Sequence, residues 1–220
     1  MQKSFYWTDL VLEVRDFVLG CLVCQQEKSV NKVPAGLLEP LTVHDQKWAD
    51  VSMDFMMRLP RSSNGNDGIL TVVDCATKMV HLVPMKQTIT ASETAQIYWT
   101  NIGRLHGLSH SIVSDRDPRF VSKFWQGLWS LLGTKLRMSS AYHLQTDGQS
   151  EAMNRVIEVI LRCIMHESKE MEHWETILAI VEFVVNNSPT QSTKHTPFYL
   201  SYGYHPYTLR CSQGFRGDYN

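Results

Sequence analysis

"WADVSMDFMMRLP" (48–60) is the run whose reading decides the fold. Ahead of it, "VNKVPAGLLEPLTVHDQ" (30–46) carries Pro34, Gly36 and Pro40, the composition of a linker. From Trp48 the pattern becomes strand-like, and Pro60 stops it. "RSSNGNDG" (61–68) follows as a turn cluster. "ILTVVDCAT" and "MVHLVPM" are two more β-rich runs, with a tight connection at Lys78. Three such runs in succession predict an antiparallel meander.

Downstream the period changes. "TASETAQIYWTNIGRLHG" (90–107) predicts a helix, with Thr90 as N-cap, Glu93 at capping-box spacing and Gly107 as the stop. "SIVSD" (111–115) predicts a short strand. "SKFWQGLWSLLG" (122–133) predicts a helix with Phe124, Leu128, Leu131 and Leu132 on one side. "KLRMSSAY" (135–142) predicts a fifth strand. A long helix is expected from near Gln149 to about Ser168, and a last one from about Trp174 to Asn187, ended by Pro189. Residues 1–29 read as amphipathic helix, with Leu10, Val11, Val14, Phe17 and Val18 at helical spacing. From the first strand on, the order β-β-β-α-β-α-β-α-α predicts an α/β fold with a mixed five-stranded sheet covered by helices.

The totals set bounds. At 43% hydrophobic and 20% charged, the chain reads as an ordinary globular protein. Its 21 basic and 22 acidic side chains leave a net charge of −1. That gives no support to bulk attraction for nucleic acid, so any such contact needs a local basic patch or help from other domains. Five cysteines, unevenly spaced, make no disulfide framework. Cys75, Cys163 and Cys211 stand alone, while Cys21 and Cys24 form a CxxC pair. Charges interrupt the N-terminal segment where a signal peptide needs an apolar core. The apolar run "ILAIVEFVV" (177–185) contains Glu182 and reads as core helix rather than membrane span.

Three acids stand where the backbone would present them. Asp54 interrupts the first strand, Asp115 ends the fourth, and Glu151 begins the long helix. Each has a plain alternative. Asp54 suits an edge strand, Asp115 a turn cap before Pro118, and Glu151 the helix dipole. On the long helix, Glu151, Arg155, Glu158 and Arg162 share one stripe. Met153, Val156, Ile157, Ile160, Leu161 and Ile164 lie opposite, on the side expected to face the core. Three carboxylates from two strands and a helix suggest a divalent-metal site of the kind that serves phosphoryl transfer.

With "WADVSMDF", "VVDCATKMVHLVP", "IVSDRDPRF", "SSAYH", "QTDGQSE", "NNS" and "TPFYLSYG" in this order, the chain resembles the integrases of gypsy-type long-terminal-repeat retrotransposons, relatives of retroviral integrases. The resemblance runs from "FYW" (5–7) to "YGYHP" (202–206). It implies a ribonuclease H-like core, with a short N-terminal helical remnant ahead of it. Thirty-five residues, 116–150, separate Asp115 from Glu151, the family's spacing, so Asp54, Asp115 and Glu151 map onto its catalytic and metal-binding triad. The implied activity is a polynucleotidyl transferase using Mg²⁺ or Mn²⁺. It trims element DNA 3′ ends and joins them to target DNA, in the nucleus, with no covalent enzyme intermediate. DNA and further copies of the chain are the implied partners, and no membrane is.

The resemblance also implies the division of the chain: 1–29 a partial His-His-Cys-Cys zinc module, 30–46 linker, 47–206 catalytic core and 207–220 tail. "YHLQTDGQ" matches the family's active-site loop. Tyr142, His143, Gln145 and Gln149 would contact DNA, as would Asn154 and Arg155 one turn into the helix. Cys21 and Cys24 match half of the zinc site. Residues 1–20 hold no histidine, so zinc has an incomplete ligand set here. Leu144 stands where the family usually has proline, and Ala152 where it has arginine. Ending at Asn220, before the family's C-terminal DNA-binding region, the chain alone is expected to bind DNA weakly. The competing reading is a decayed or domesticated copy that binds DNA or protein without catalysis.

Overall fold

The computed structural model describes residues 7–21, 46–138, 153–163, 171–190 and 192–207. Strands β1 (Asp50–Met56), β2 (Gly68–Asp74) and β3 (Val80–Met85) form the antiparallel meander. Strands β4 (Ser111–Ser114) and β5 (Lys135–Met138) continue the sheet on the other side of β1, parallel to it. The order is β3-β2-β1-β4-β5. Antiparallel neighbours can be joined by tight turns, but parallel ones need crossovers. Helix α2 (Ala91–Tyr98) supplies the first crossover, between β3 and β4, and α3 (Lys123–Leu131) the second. The mixed five-stranded sheet flanked by helices is as expected.

The sheet sorts its side chains by the period of two. Val51 and Met53 of β1, Leu70 and Val72 of β2 and Ile112 of β4 turn to one face, where they pack with Tyr98, Ile102, Phe120, Trp125 and Trp129. Ile69 and Val73 turn to the other, against Ile157, Leu161, Trp174, Leu178, Val181 and Val185. Residues 153–163 form α4, and Trp174–Asn186 form α5.

Both caps predicted for α2 are present. Thr90 Oγ1 accepts from Glu93 N, and the Glu93 carboxylate accepts from Thr90 N at 2.8 Å. At Gly107 φ is 83°. Between the caps, however, the helix widens into a π-helical segment at Trp99–Gly103 before a last α turn at Arg104–His106. Gly103 is required there, because a Cβ would lie 2.5 Å from Cε3 of Trp99. The last turn brings the His106 ring flat against Trp48, with centroids 3.8 Å apart.

The side of α3 that the sequence groups as Phe124, Leu128, Leu131 and Leu132 is not the core side. Trp125 and Trp129 are buried, whereas Phe124, Leu131 and Leu132 are exposed. Two tryptophans four residues apart fill more interior volume than the leucine stripe, and they win the sheet. On α4, Val156 is likewise exposed while Ile157 and Leu161 are buried. Helix α1 spans Leu10–Gly20, with Leu10 as its buried residue, while residues 1–6 and 22–29 of the segment read as helical lie outside the described residues. Helix α6 (Pro197–Tyr202), absent from the sequence reading, has Thr196 as N-cap, Pro197 at its start and Gly203 as C-cap with φ 80°. Among the described residues no helix is long and apolar enough to cross a membrane.

Candidate active site

Central position rules out the edge-strand explanation of Asp54, since β1 has β2 on one side and β4 on the other. In the β1–β4 register Met53 lies beside Ser114. One step further along both strands, Asp54 lies alongside Asp115, at the C-terminal ends of adjacent parallel strands. Strand backbones there run about 4.8 Å apart. Met53 belongs to the core face, so both acids alternate onto the opposite face, the one that α4 covers. Each is half-buried.

Their immediate bonds differ. Asp54 Oδ1 accepts from Phe55 N at 2.7 Å, and Oδ2 accepts from Asn154 Nδ2 at 2.7 Å. An ionised carboxylate only accepts, which fixes the amide orientation of Asn154. Asp115 Oδ1 accepts from Asp117 N at 3.0 Å, so Asp115 does serve the turn, with one oxygen. The rest of "DRDPRF" is tied in the same way. Asp117 receives Arg119 N, Nε and NH2, while the Arg119 guanidinium lies 3.8 Å from the centre of the Phe55 ring. Burial would raise the Asp117 carboxyl, but the hydrogen bonds from Arg119 outweigh it and hold it below the ordinary value. The loop beyond Asp115 is thus fastened to the residue next to Asp54.

Asn154 is the surprise of the site. Expected at DNA, it is half-buried and spends its amide on Asp54. Arg155 is exposed, and Glu158 pairs with Arg162 one turn on. The Asn154 bond ties the described part of α4 to Asp54. Glu151 itself lies outside the described residues, as do Tyr142, His143, Gln145, Gln149 and Cys24. Cys21 is half-exposed.

The surroundings of Asp54 suit a hard cation. Among the described residues, Thr71, its partner across the β1–β2 ladder, has a buried Oγ1 without a hydrogen-bond partner, and Asn154 has a buried Oδ1 likewise. Buried oxygens left unpaired beside a carboxylate are what an oxygen-ligated ion and its water would use. A thiol nucleophile, by contrast, is disfavoured at Cys75: burial pushes it up to about 12.

Over 204 residues the chain is 33% identical to the Transposon Tf2-3 and Tf2-4 polyproteins of Schizosaccharomyces pombe, a match covering 93% of this chain. In fold it matches a chain of the simian T-cell lymphotropic virus intasome in complex with PP2A regulatory subunit B56 gamma, with a TM-score of 0.63 and 16% identity over 94% of this chain and 72% of that one. It also matches the HTLV-2 integrase catalytic core domain in complex with magnesium, with a TM-score of 0.56 and 15% identity over 70% of this chain and 95% of that one. The chain is an integrase-like core related to these retrotransposon polyproteins. It spans about 15% of the length of the polyproteins it matches. Its fold is the ribonuclease H-like fold of retroviral integrase cores. No family model matches the sequence.

Other residues shape this integrase-like core without having stood out in the sequence. Asp74 is fully buried and accepts from Trp48 N, Ala76 N, Thr77 N and Thr77 Oγ1, with distances of 2.6–3.3 Å. It pins the β2–β3 turn, in which Lys78 takes φ 64°. The signal was the Asp-x-x-Thr spacing in "DCAT". Glu182 and Asn186 of α5 bond the outer edge of β3, and no local pattern announced that pairing.

Proposed function

We propose that the chain is the catalytic core of a divalent-metal-dependent polynucleotidyl transferase, acting in DNA integration. The reading is supported by the β1–β4 register, which sets Met53 beside Ser114 one residue before Asp54 and Asp115, and by the bond from Asn154 of α4 to Asp54. The spacing of Glu151 from Asp115 supplies the third acid. Asp54, Asp115 and Glu151 would hold Mg²⁺ or Mn²⁺, which when bound activates the attacking oxygen and offsets charge on the phosphate.

The chemistry is in-line displacement at phosphorus. In end trimming, the oxygen of water bonds to phosphorus while the bond to the 3′ oxygen breaks, and a 3′ hydroxyl remains on the element end. In joining, that 3′ oxygen bonds to a target phosphorus and a target 3′ oxygen leaves. One phosphodiester replaces another, and the proton lost by the nucleophile balances the one gained by the leaving oxygen. The chain's own contribution is orientation. Asn154 fixes one oxygen of Asp54, and the tied "DRDPR" turn fixes Asp115. The partners proposed are element ends and target DNA, in the nucleus, with several copies of the chain acting together. The neighbour solved with magnesium, described in trimeric and dimeric forms, supports the metal and the multimer.

The test is a joining or branched-DNA disintegration assay with Mn²⁺, run on the chain and on Asp115→Asn. The expected result is activity in the first and a loss of at least about a thousandfold in the second, because a metal is worth several kcal/mol of barrier. Asn154→Ala should slow the reaction by roughly ten- to a hundredfold, as lost second-layer partners of metal ligands do. Equal activity in the chain and Asp115→Asn, or none in either with both folded, would replace catalysis by a binding role.

A further inference from the structure

The face of the sheet that ends in Asp54 and Asp115 is polar along three strands. In register, its first row is Asp50, Ser111 and Lys135, and its second Ser52, Val113 and Arg137. Beyond them stands the row of Asp54 and Asp115. Lys135 and Arg137 therefore share one side of β5, the outermost strand. Together with His110, Ser111 and Gly133 they line a cavity of about 240 Å³. His110 and Lys135 are exposed and Arg137 is half-buried.

Among the described residues neither the Lys135 ammonium nor the Arg137 guanidinium is salt-bridged to a carboxylate. The acid in the same row, Asp50, is buried and accepts from the Ser111 hydroxyl. Counting that acid, the two cations leave a local charge of about +1. A chain whose net charge is −1 needs such a local patch to hold a polyanion at all. Gly133, at φ 73°, has open space where a Cβ would stand.

We infer that His110, Lys135 and Arg137 form a phosphate subsite for the sugar–phosphate backbone of a nucleic-acid strand whose reacting phosphate lies at the acid pair. From Ser111 to Asp115 the face runs four residues, about 13 Å. Arg137 is one row from Asp115, about 7–8 Å on the diagonal. A strand lying along β4 and β5 keeps its reacting phosphate at the acids and lays neighbouring phosphates on the cations. Arg137 serves them with a planar fork and Lys135 with a point charge. This inference rests on the integrase reading, and its consequence is measurable without catalysis.

The experiment is salt-dependent binding of a fluorescent duplex oligonucleotide in EDTA, by the chain, by Lys135→Ala and Arg137→Ala singly and together, and by Arg61→Ala, on the β1–β2 connection, as the charge-loss control for the single variants. Two lost phosphate contacts should flatten the plot of log affinity against log salt by about 1.8 and weaken binding roughly thirtyfold near 0.15 M salt. Arg61→Ala should leave both unchanged. A second arm titrates inorganic pyrophosphate and follows backbone amide shifts at positions 110, 111, 135 and 137, which should move in the chain and stay still in the double variant. Unchanged slope and affinity in the double variant, with DNA bound by the parent, overturn the subsite and leave the integrase reading standing. No DNA binding by the parent overturns both. Loss of joining in Asp115→Asn with a normal slope supports both.

Discussion

The two edges of one sheet have been treated oppositely. At β3 the outward-facing backbone is closed: Val80 N donates to Asn186 Oδ1, Asn186 Nδ2 donates to Val80 O, and Leu82 N donates to Glu182 Oε2, all at 2.8 Å. A helix there imitates a sixth strand. At β5 the edge strand carries an exposed lysine and a half-exposed arginine instead. An open edge invites unwanted pairing, and cations on it discourage a protein strand while welcoming a polyanion. The sealed edge serves stability, and the charged one is left for binding.

The largest effect on stability should come from cutting the seal. Asn186→Ala strands Val80 N and O, on a residue that is wholly buried. Each unpaired buried group costs about 1–3 kcal/mol, so urea denaturation should register a loss of roughly 2–4 kcal/mol. A loss below about 0.5 kcal/mol would mean that β3 does not depend on α5, and the contrast between the edges would fail.

How much of this was legible in the sequence varies by the range of the interaction. The five strands and the α2 caps are local signals, and Thr90, Glu93 and Gly107 sit as read. Asp54 and Asp115 were legible as odd residues in apolar runs, but that they are neighbours came from strand order, which depends on crossovers. Leucine and phenylalanine spacing grouped one side of α3 without saying which side meets the sheet; the volume of Trp125 and Trp129 decides that. The π-helical turn at Trp99–Gly103 depends on a ring packed over Gly103, a contact invisible to periodicity. Glu182 was noticed only as a charge in an apolar helix. Its partner lies 100 residues away, so no window could contain both. Helix α6 was legible, since Thr196, Pro197 and Gly203 are its punctuation, but its six residues fall below a periodic pattern.

The sealed edge also contains a proton-sensitive joint. Glu182 Oε1 lies 3.0 Å from His81 Nδ1, and His81 Nε2 lies 2.9 Å from His106 Nε2, both rings being stacked on Trp48. Only one hydrogen fits between the two Nε2 atoms. Burial, reinforced by His81 and opposed by Asp74, lowers His106 to about 4. The unfolded chain, with an ordinary histidine value near 6.5, then binds the proton more readily. Stability from this group is complete above about pH 6.5 and is lost as pH falls from there toward 4. Because His106 is partly exposed, roughly 1–2 kcal/mol is expected after discounting for screening. Denaturation at pH 7.5 and 4.5 should show it, and His106→Gln should abolish that share. An unchanged pH slope in His106→Gln would separate this joint from the seal.

A smaller local effect is expected where the first crossover begins. Thr90→Ala removes the acceptor for Glu93 N and the hydroxyl's own bond to the Glu93 carboxylate, and capping losses of this kind are about 1 kcal/mol. Thermal unfolding should show it as a shift of a few degrees, without any change in the salt slope of DNA binding.

The smallest stability change belongs to the other edge, and its smallness is the point. If Lys135 and Arg137 were there to hold β5 in place, removing them would resemble Asn186→Ala. They make no salt bridge among the described residues, and β5 is held by its parallel ladder to β4 and by Leu136 and Met138 packing on the core. Lys135→Ala and Arg137→Ala should each stay within about 0.5 kcal/mol of the parent in urea denaturation, the range of surface substitutions that break no specific bond. A loss above about 1 kcal/mol would make them structural and erase the difference between the edges. A neutral result joined to a flattened salt slope would assign the cations to the strand they bind.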